Sequence, residues 1–148
     1  GMGLSSPCFT EKSMLDIYEY ESYYRSASRK YDFARRPDLV VVNLGTNDAV
    51  PRFAIDAALF KKAVAALIGM LRQHYGELPV IWAYNSMVRD FHTYTMEVLD
   101  SLGGEAAGLY TVKFESNTGS DGHPTAAAQA IDARILVDFI RAKGLCRA

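Results

Sequence analysis

The run Pro37-Asp38-Leu39-Val40-Val41-Val42-Asn43-Leu44-Gly45 constrains this chain more tightly than any other stretch. Its centre is three consecutive valines, β-branched side chains that are stiff at χ1 and fit a pleated surface. The run is apolar at successive positions rather than alternate ones, so both of its faces need cover. A parallel sheet packed between helices supplies that cover. The run therefore predicts a strand over 38–44, interior to a parallel sheet and hydrogen-bonded on both sides, with Gly45 turning the chain at its end.

The rest of the chain repeats a unit that fits this strand. Phe60, Val64, Leu67, Ile68, Leu71 and Tyr75 recur at helical spacing over 55–75, and Gly76 is placed to end that helix. Pro79 to Tyr84 reads as a second strand; Phe91, Tyr94, Thr95, Val98, Leu99 and Leu102 mark a second helical face, closed by Gly103-Gly104. Gly108 to Phe114 reads as a third strand, and Thr125 is positioned to cap a last helix with Ile131, Ile135, Leu136 and Phe139 on its apolar face. Strand followed by helix three times predicts an α/β fold, a parallel sheet between two helical layers with right-handed crossovers. The tyrosine-rich segment before Pro37 has no clean period and reads as loop plus a short helix. It contains no strand to lie beside 38–44, so the sheet edge there needs cover from elsewhere, and a homodimer would provide it.

A chain of 148 residues is read as one domain, 1–148, with one core and one site. The balance of 16 Lys plus Arg against 17 Asp plus Glu gives no electrostatic footprint for nucleic acid or an anionic membrane surface. No apolar run approaches the length of a bilayer crossing. The expected partner is a neutral small molecule or sugar. Cys8 and Cys146 have no metal-ligand spacing, and sequence leaves their bridging open. No metal or organic cofactor is implied. Gly1 before Met2 resembles an expression-tag scar.

In a parallel sheet the ligand crevice lies outside the carboxyl ends of the strands, and two polar clusters fall there. Gly45-Thr46-Asn47-Asp48 follows the first strand, where the Asn47 amide can donate to a developing oxyanion. Alone, this cluster is equally well read as turn chemistry. Ser120-Asp121-Gly122-His123-Pro124 precedes the last helix, and an acid two residues from a base suits an orienter and a proton shuttle. Standing alone, it is more simply a surface or capping histidine. His74 and His92 have no such setting and are read as structural or exposed. Trp82, inside a strand, is read as core before sugar platform, and the N-terminal tyrosines as packing before glycan groove.

Taken together and in order, Leu-Gly-Thr-Asn-Asp after a strand and Asp-Gly-His-Pro before the final helix resemble two sequence blocks of the SGNH hydrolases, also called the GDSL type. The run from Tyr31-Asp32-Phe33 through Pro37 to Asp48, with the short Asp-x-His form, is most similar to the family two carbohydrate esterases, which deacetylate plant polysaccharides. The resemblance implies a flavodoxin-like three-layer α/β/α fold and an acetylated carbohydrate or other small ester as substrate. It implies that Asn47 and Gly3 donate to the oxyanion and that His123 is general base and then acid, held in the needed tautomer by Asp121 or by a backbone carbonyl.

One block of that pattern has no counterpart. The family nucleophile lies in a Gly-Asp-Ser motif at the end of a first strand, and this sequence has no Gly-Asp-Ser. The expectation is an N-terminally truncated domain, since a missing first strand would also account for the uncovered sheet edge. Ser5, Ser6, Ser86 and Ser120 lack an elbow or an adjacent base, Ser5 and Ser6 being the least implausible substitutes. The rival reading is a catalytically inactive domain that folds, as a homodimer, and binds glycan or has no independent role.

Overall fold

The computed structural model describes residues 2–23, 29–85, 91–115 and 123–145. Three strands form a parallel sheet in the order β1-β2-β3: β1 is Val40–Val42, β2 is Val80–Tyr84 and β3 is Leu109–Lys113. Among the described residues four α-helices accompany them: α1 (Met14–Ile17), α2 (Ala57–Tyr75), α3 (Phe91–Ser101) and α4 (Ala126–Ala142). Among the described residues no helix is long and apolar enough to cross a membrane.

The register assigns each face of the sheet. Val40 pairs with Val80, which in turn pairs with Leu109, and Val42 pairs with Trp82, which pairs with Thr111, so these side chains share one face. That face packs on α2 and α3 in a core holding Val42, Phe60, Val64, Leu67, Ile68, Trp82, Leu99 and Leu109. The opposite face carries Val41, Ile81, Ala83, Tyr110 and Val112, and α4 reaches it through Phe139, whose ring meets Tyr110 edge-on at 5.9 Å. Cover on this second face stops short of β1. Ile81 is fully buried, whereas Val41, beside it in register, is 40% exposed.

Two sequence expectations change here. The strand foreseen over 38–44 is three residues long and, among the described residues, hydrogen-bonds on one side only, to β2. Past Val42 the backbone ladder gives way to side-chain bonds: Asn43 Nδ2 donates to the Ala83 carbonyl at 2.9 Å, and Trp82 Nε1 donates to the Leu44 carbonyl at 3.2 Å. Trp82 is thus core, with its polar edge satisfied. In α4 the inward face is Ala128 and Asp132, with Ile135, Leu136 and Phe139 half-buried, while Ile131 is 43% exposed. Ile131 lies on the flank of the helix, and the position it was expected to fill belongs to a carboxylate.

The tyrosine-rich segment packs at the C-terminal end of α2. Phe33 stacks on His74 with ring centroids 3.6 Å apart, and His74 Nε2 lies 2.9 Å from Glu19 Oε1, so His74 is structural. Glu19 also receives Lys30 Nζ at 3.0 Å. These two partners, Lys30 first and His74 second, hold the Glu19 carboxyl below its ordinary value.

Candidate active site

Three strand ends open on one cleft. Asn43, Asn85 and Phe114, each immediately following its strand, line an open cavity of about 840 Å³ together with Thr46, Asn47, His123 and Asp132. This is the carboxyl-end crevice of a parallel sheet. The two polar clusters meet in it: Asn47 arrives from the β1 end and His123 from the segment before α4.

The turn that presents Asn47 is built by its neighbours. Gly45 has φ of 110°, a region that disfavours side chains, and the Ala49 amide closes the turn on the Gly45 carbonyl at 2.9 Å. Asp48 points inward with 1% exposure. Its Oδ2 accepts from the Leu4 amide at 2.7 Å, and its Oδ1 accepts from the Ser5 amide at 2.8 Å and the Ser5 hydroxyl at 2.5 Å. A buried carboxylate is tolerated only when donors converge on it in this way. The result fastens the N-terminal segment to the Asn47 turn.

The same fastening sets the Asn47 amide. Asn47 Nδ2 donates to the Met2 carbonyl at 2.8 Å, so the peptide joining Met2 to Gly3 lies beside it. A carboxamide nitrogen has two N–H bonds. One is spent on Met2 and fixes the side chain; the second has no acceptor among the described residues. Gly3 is buried, and a Cβ there would fall 2.5 Å from both Cys8 Sγ and the Ser6 carbonyl oxygen. Only glycine fits the space that Cys8, Ser6 and Asp48 leave at this position. The structure thus brings Gly3, Asn47 and His123 to one end of the sheet. Asp121, with Ser120 and Ser86, lies outside the described residues. Thr125 caps α4, accepting from the Ala128 amide at 3.1 Å, and so anchors the short segment carrying His123 and Pro124.

Neither the Ser5 hydroxyl nor the Cys8 thiol is disposed as a nucleophile. The Ser5 hydroxyl is committed to Asp48, and Ser5 does not line the cleft. Burial first, and the Asp48 carboxylate next, push the Cys8 thiol up from its ordinary value. A protonated thiol is a poor nucleophile.

Sequence reasoning passed over Asp48, buried behind the Asn47 turn, and over the cleft residues Asp132 and Phe9. Asp48 was read only as part of a turn, although its place beside a buried strand end made it a potential anchor. Asp132 had a visible signal, an acidic residue one turn after Ala128 on a helix meant to face the sheet. Phe9, in an aperiodic segment, gave none.

The model of the GDSL-like lipase/acylhydrolase family matches residues 16–136. The chain belongs to that family. Within it, the chain is 29% identical over 144 residues to the cellulase/esterase CelE of Acetivibrio thermocellus, covering 88% of this chain and 17% of CelE. Two solved structures of a family two carbohydrate esterase from Clostridium thermocellum are also similar. One, an active-site mutant, is 26% identical with a TM-score of 0.82, over 97% of this chain and 47% of that one. The other, in complex with cellohexaose, is 25% identical with a TM-score of 0.78, over 99% of this chain and 49% of that one. This GDSL-family chain therefore spans about half the length of those esterases and a smaller share of CelE, while sharing their α/β fold.

Proposed function

We propose that the cleft is the acyl-transfer site of a carbohydrate O-acetyl esterase, to which this chain contributes the base and the oxyanion donors. The observation that carries this reading is the convergence of a pinned asparagine amide and a histidine on one crevice at the carboxyl end of the sheet. In this mechanism His123 takes the proton of an attacking serine hydroxyl, whose oxygen adds to the ester carbonyl carbon. The second Asn47 N–H and the Gly3 backbone N–H stabilise the resulting oxyanion. His123 then returns the proton to the departing sugar oxygen, leaving an acyl-serine that water hydrolyses by the same route. Asp121 orients the imidazole.

The serine is assigned to a parallel strand laid along the open side of β1. Two features support this placement. The outer edge of β1 adjoins an apolar groove of about 270 Å³ lined by Met14, Tyr18, Val41, Leu67 and Leu71. A strand seated there would end beside Asn43 and Asn47, at the mouth of the cleft. The test is fluorophosphonate labelling of the purified chain alongside hydrolysis of acetylated xylo-oligosaccharide. The reading expects a folded chain that binds the oligosaccharide, with neither labelling nor turnover. Labelling and turnover that vanish in His123→Ala would contradict the placement of the serine outside this chain.

A second reading is favoured by the commitment of the Ser5 hydroxyl to Asp48: a non-catalytic glycan-binding domain whose β1 edge is covered by a second copy. It predicts a dimer in sedimentation analysis, and glycan affinity unchanged in His123→Ala.

A further inference from the structure

The mouth of the cleft carries a structure that the esterase chemistry does not use. Phe9 lines the cleft wall yet is 47% exposed. Its ring is met edge-on by Phe53 at 4.8 Å, and the Arg52 guanidinium carbon lies 4.2 Å from the Phe9 centroid and 4.8 Å from that of Phe53. The described chain has only three non-glycine residues at positive φ, and two of them bracket this group: Cys8 at 56° immediately before Phe9, and Ala54 at 46° immediately after Phe53. Such backbone persists only where its surroundings impose it, and it concentrates at ligand sites.

The group is also tied to the reacting centre. Cys8 Sγ donates to the Asn47 carbonyl at 3.5 Å, and that carbonyl also accepts from the Val50 amide at 3.2 Å, one residue before the turn bearing Arg52 and Phe53. Phe9 and Arg52 are therefore held in register with Asn47 from both sides. Arg52 has no carboxylate within ion-pair distance among the described residues. A guanidinium placed beside aromatic rings keeps its N–H fork available and matches a carboxylate bidentately.

We propose that Phe9 and Arg52 form a substrate subsite at the mouth of the cleft, Phe9 stacking on a pyranose ring and Arg52 taking a carboxylate, so that the favoured glycan carries uronic acid units. The proposal rests on the esterase reading of the cleft and narrows its substrate class. A half-exposed aromatic side chain suits the apolar face of a sugar, and a cation beside it converts a general sugar platform into one that selects acidic sugars.

The test is calorimetric titration of the chain with a neutral xylo-oligosaccharide and with the same oligosaccharide bearing one glucuronic acid branch. At low salt the acidic ligand should bind about tenfold more tightly, the worth of one charge-assisted pair. That advantage should shrink as salt is added and disappear in Arg52→Gln. Phe9→Ala should weaken both ligands alike, by about fivefold. Equal binding of the two ligands, or a preference that survives Arg52→Gln, overturns the acidic subsite while leaving the esterase reading in place. Binding of neither ligand overturns both.

Discussion

Asp48 and Gly3 together decide where the Asn47 amide points, so the strongest single-residue effects are expected there. Asp48→Ala removes the acceptor for two backbone amides and a hydroxyl in a buried setting. Hydrogen bonds to a charged acceptor are worth about 1.5–3 kcal/mol each, and the orphaned donors can partly regain water, so a loss of about 3 kcal/mol is expected by urea denaturation. Gly3→Ala places a methyl group against Cys8 Sγ and the Ser6 carbonyl. Its cost of about 1–3 kcal/mol should come with a displaced Asn47 side-chain amide resonance, since the Met2 carbonyl must move. Glu19 sets an acid limit of a different kind. Its folded-state value lies below the ordinary 4.5, so its contribution is present above about pH 4.5 and is lost as the pH falls through the folded value. Stability should therefore drop on acidification, and the drop should be shallower in Glu19→Gln.

At the scale of elements, α4 links the base to the fold through its cap. Thr125→Ala should cost about 1 kcal/mol in chemical denaturation and loosen the segment holding His123, read as faster amide exchange at Ala128. The elements themselves were legible in sequence because their signals are local. The valine run, the spacing from Phe60 to Tyr75 and the glycine at 76 each sit within one strand or helix, and all three appear where expected. The inward face of α4 was misjudged because its environment is a polar cleft as well as a sheet. Apolar periodicity marks only contact with a core, and Asp132 answers to the cleft. Of the candidate site, the meeting of Asn47 and His123 in one cleft was legible from strand ends and from family resemblance. Phe9 and the Asp48 clamp were not, since they depend on contacts across more than thirty residues of chain.

At the scale of the whole molecule, the sheet has two unequal edges. The last helix packs on β3 through Phe139 and Tyr110, whereas Val41 on β1 is exposed, and the β1 edge adjoins an apolar groove. An exposed edge of this kind invites strand pairing. Val41→Lys should therefore leave the fold intact while abolishing whatever pairing the edge makes, read as loss of any concentration-dependent mass in sedimentation. The cleft lies at the carboxyl end of this same edge, so completing the sheet and completing the site are one event in this account. The central claim is that Asn47 and His123 face one glycan ester. It is tested most directly by titrating the chain with acetylated xylo-oligosaccharide while following the Asn47 side-chain amide and the His123 imidazole by NMR. The account predicts that both move with a single dissociation constant, and that Asn47→Ala abolishes the response at His123. Movement of one without the other, or of neither, would contradict it.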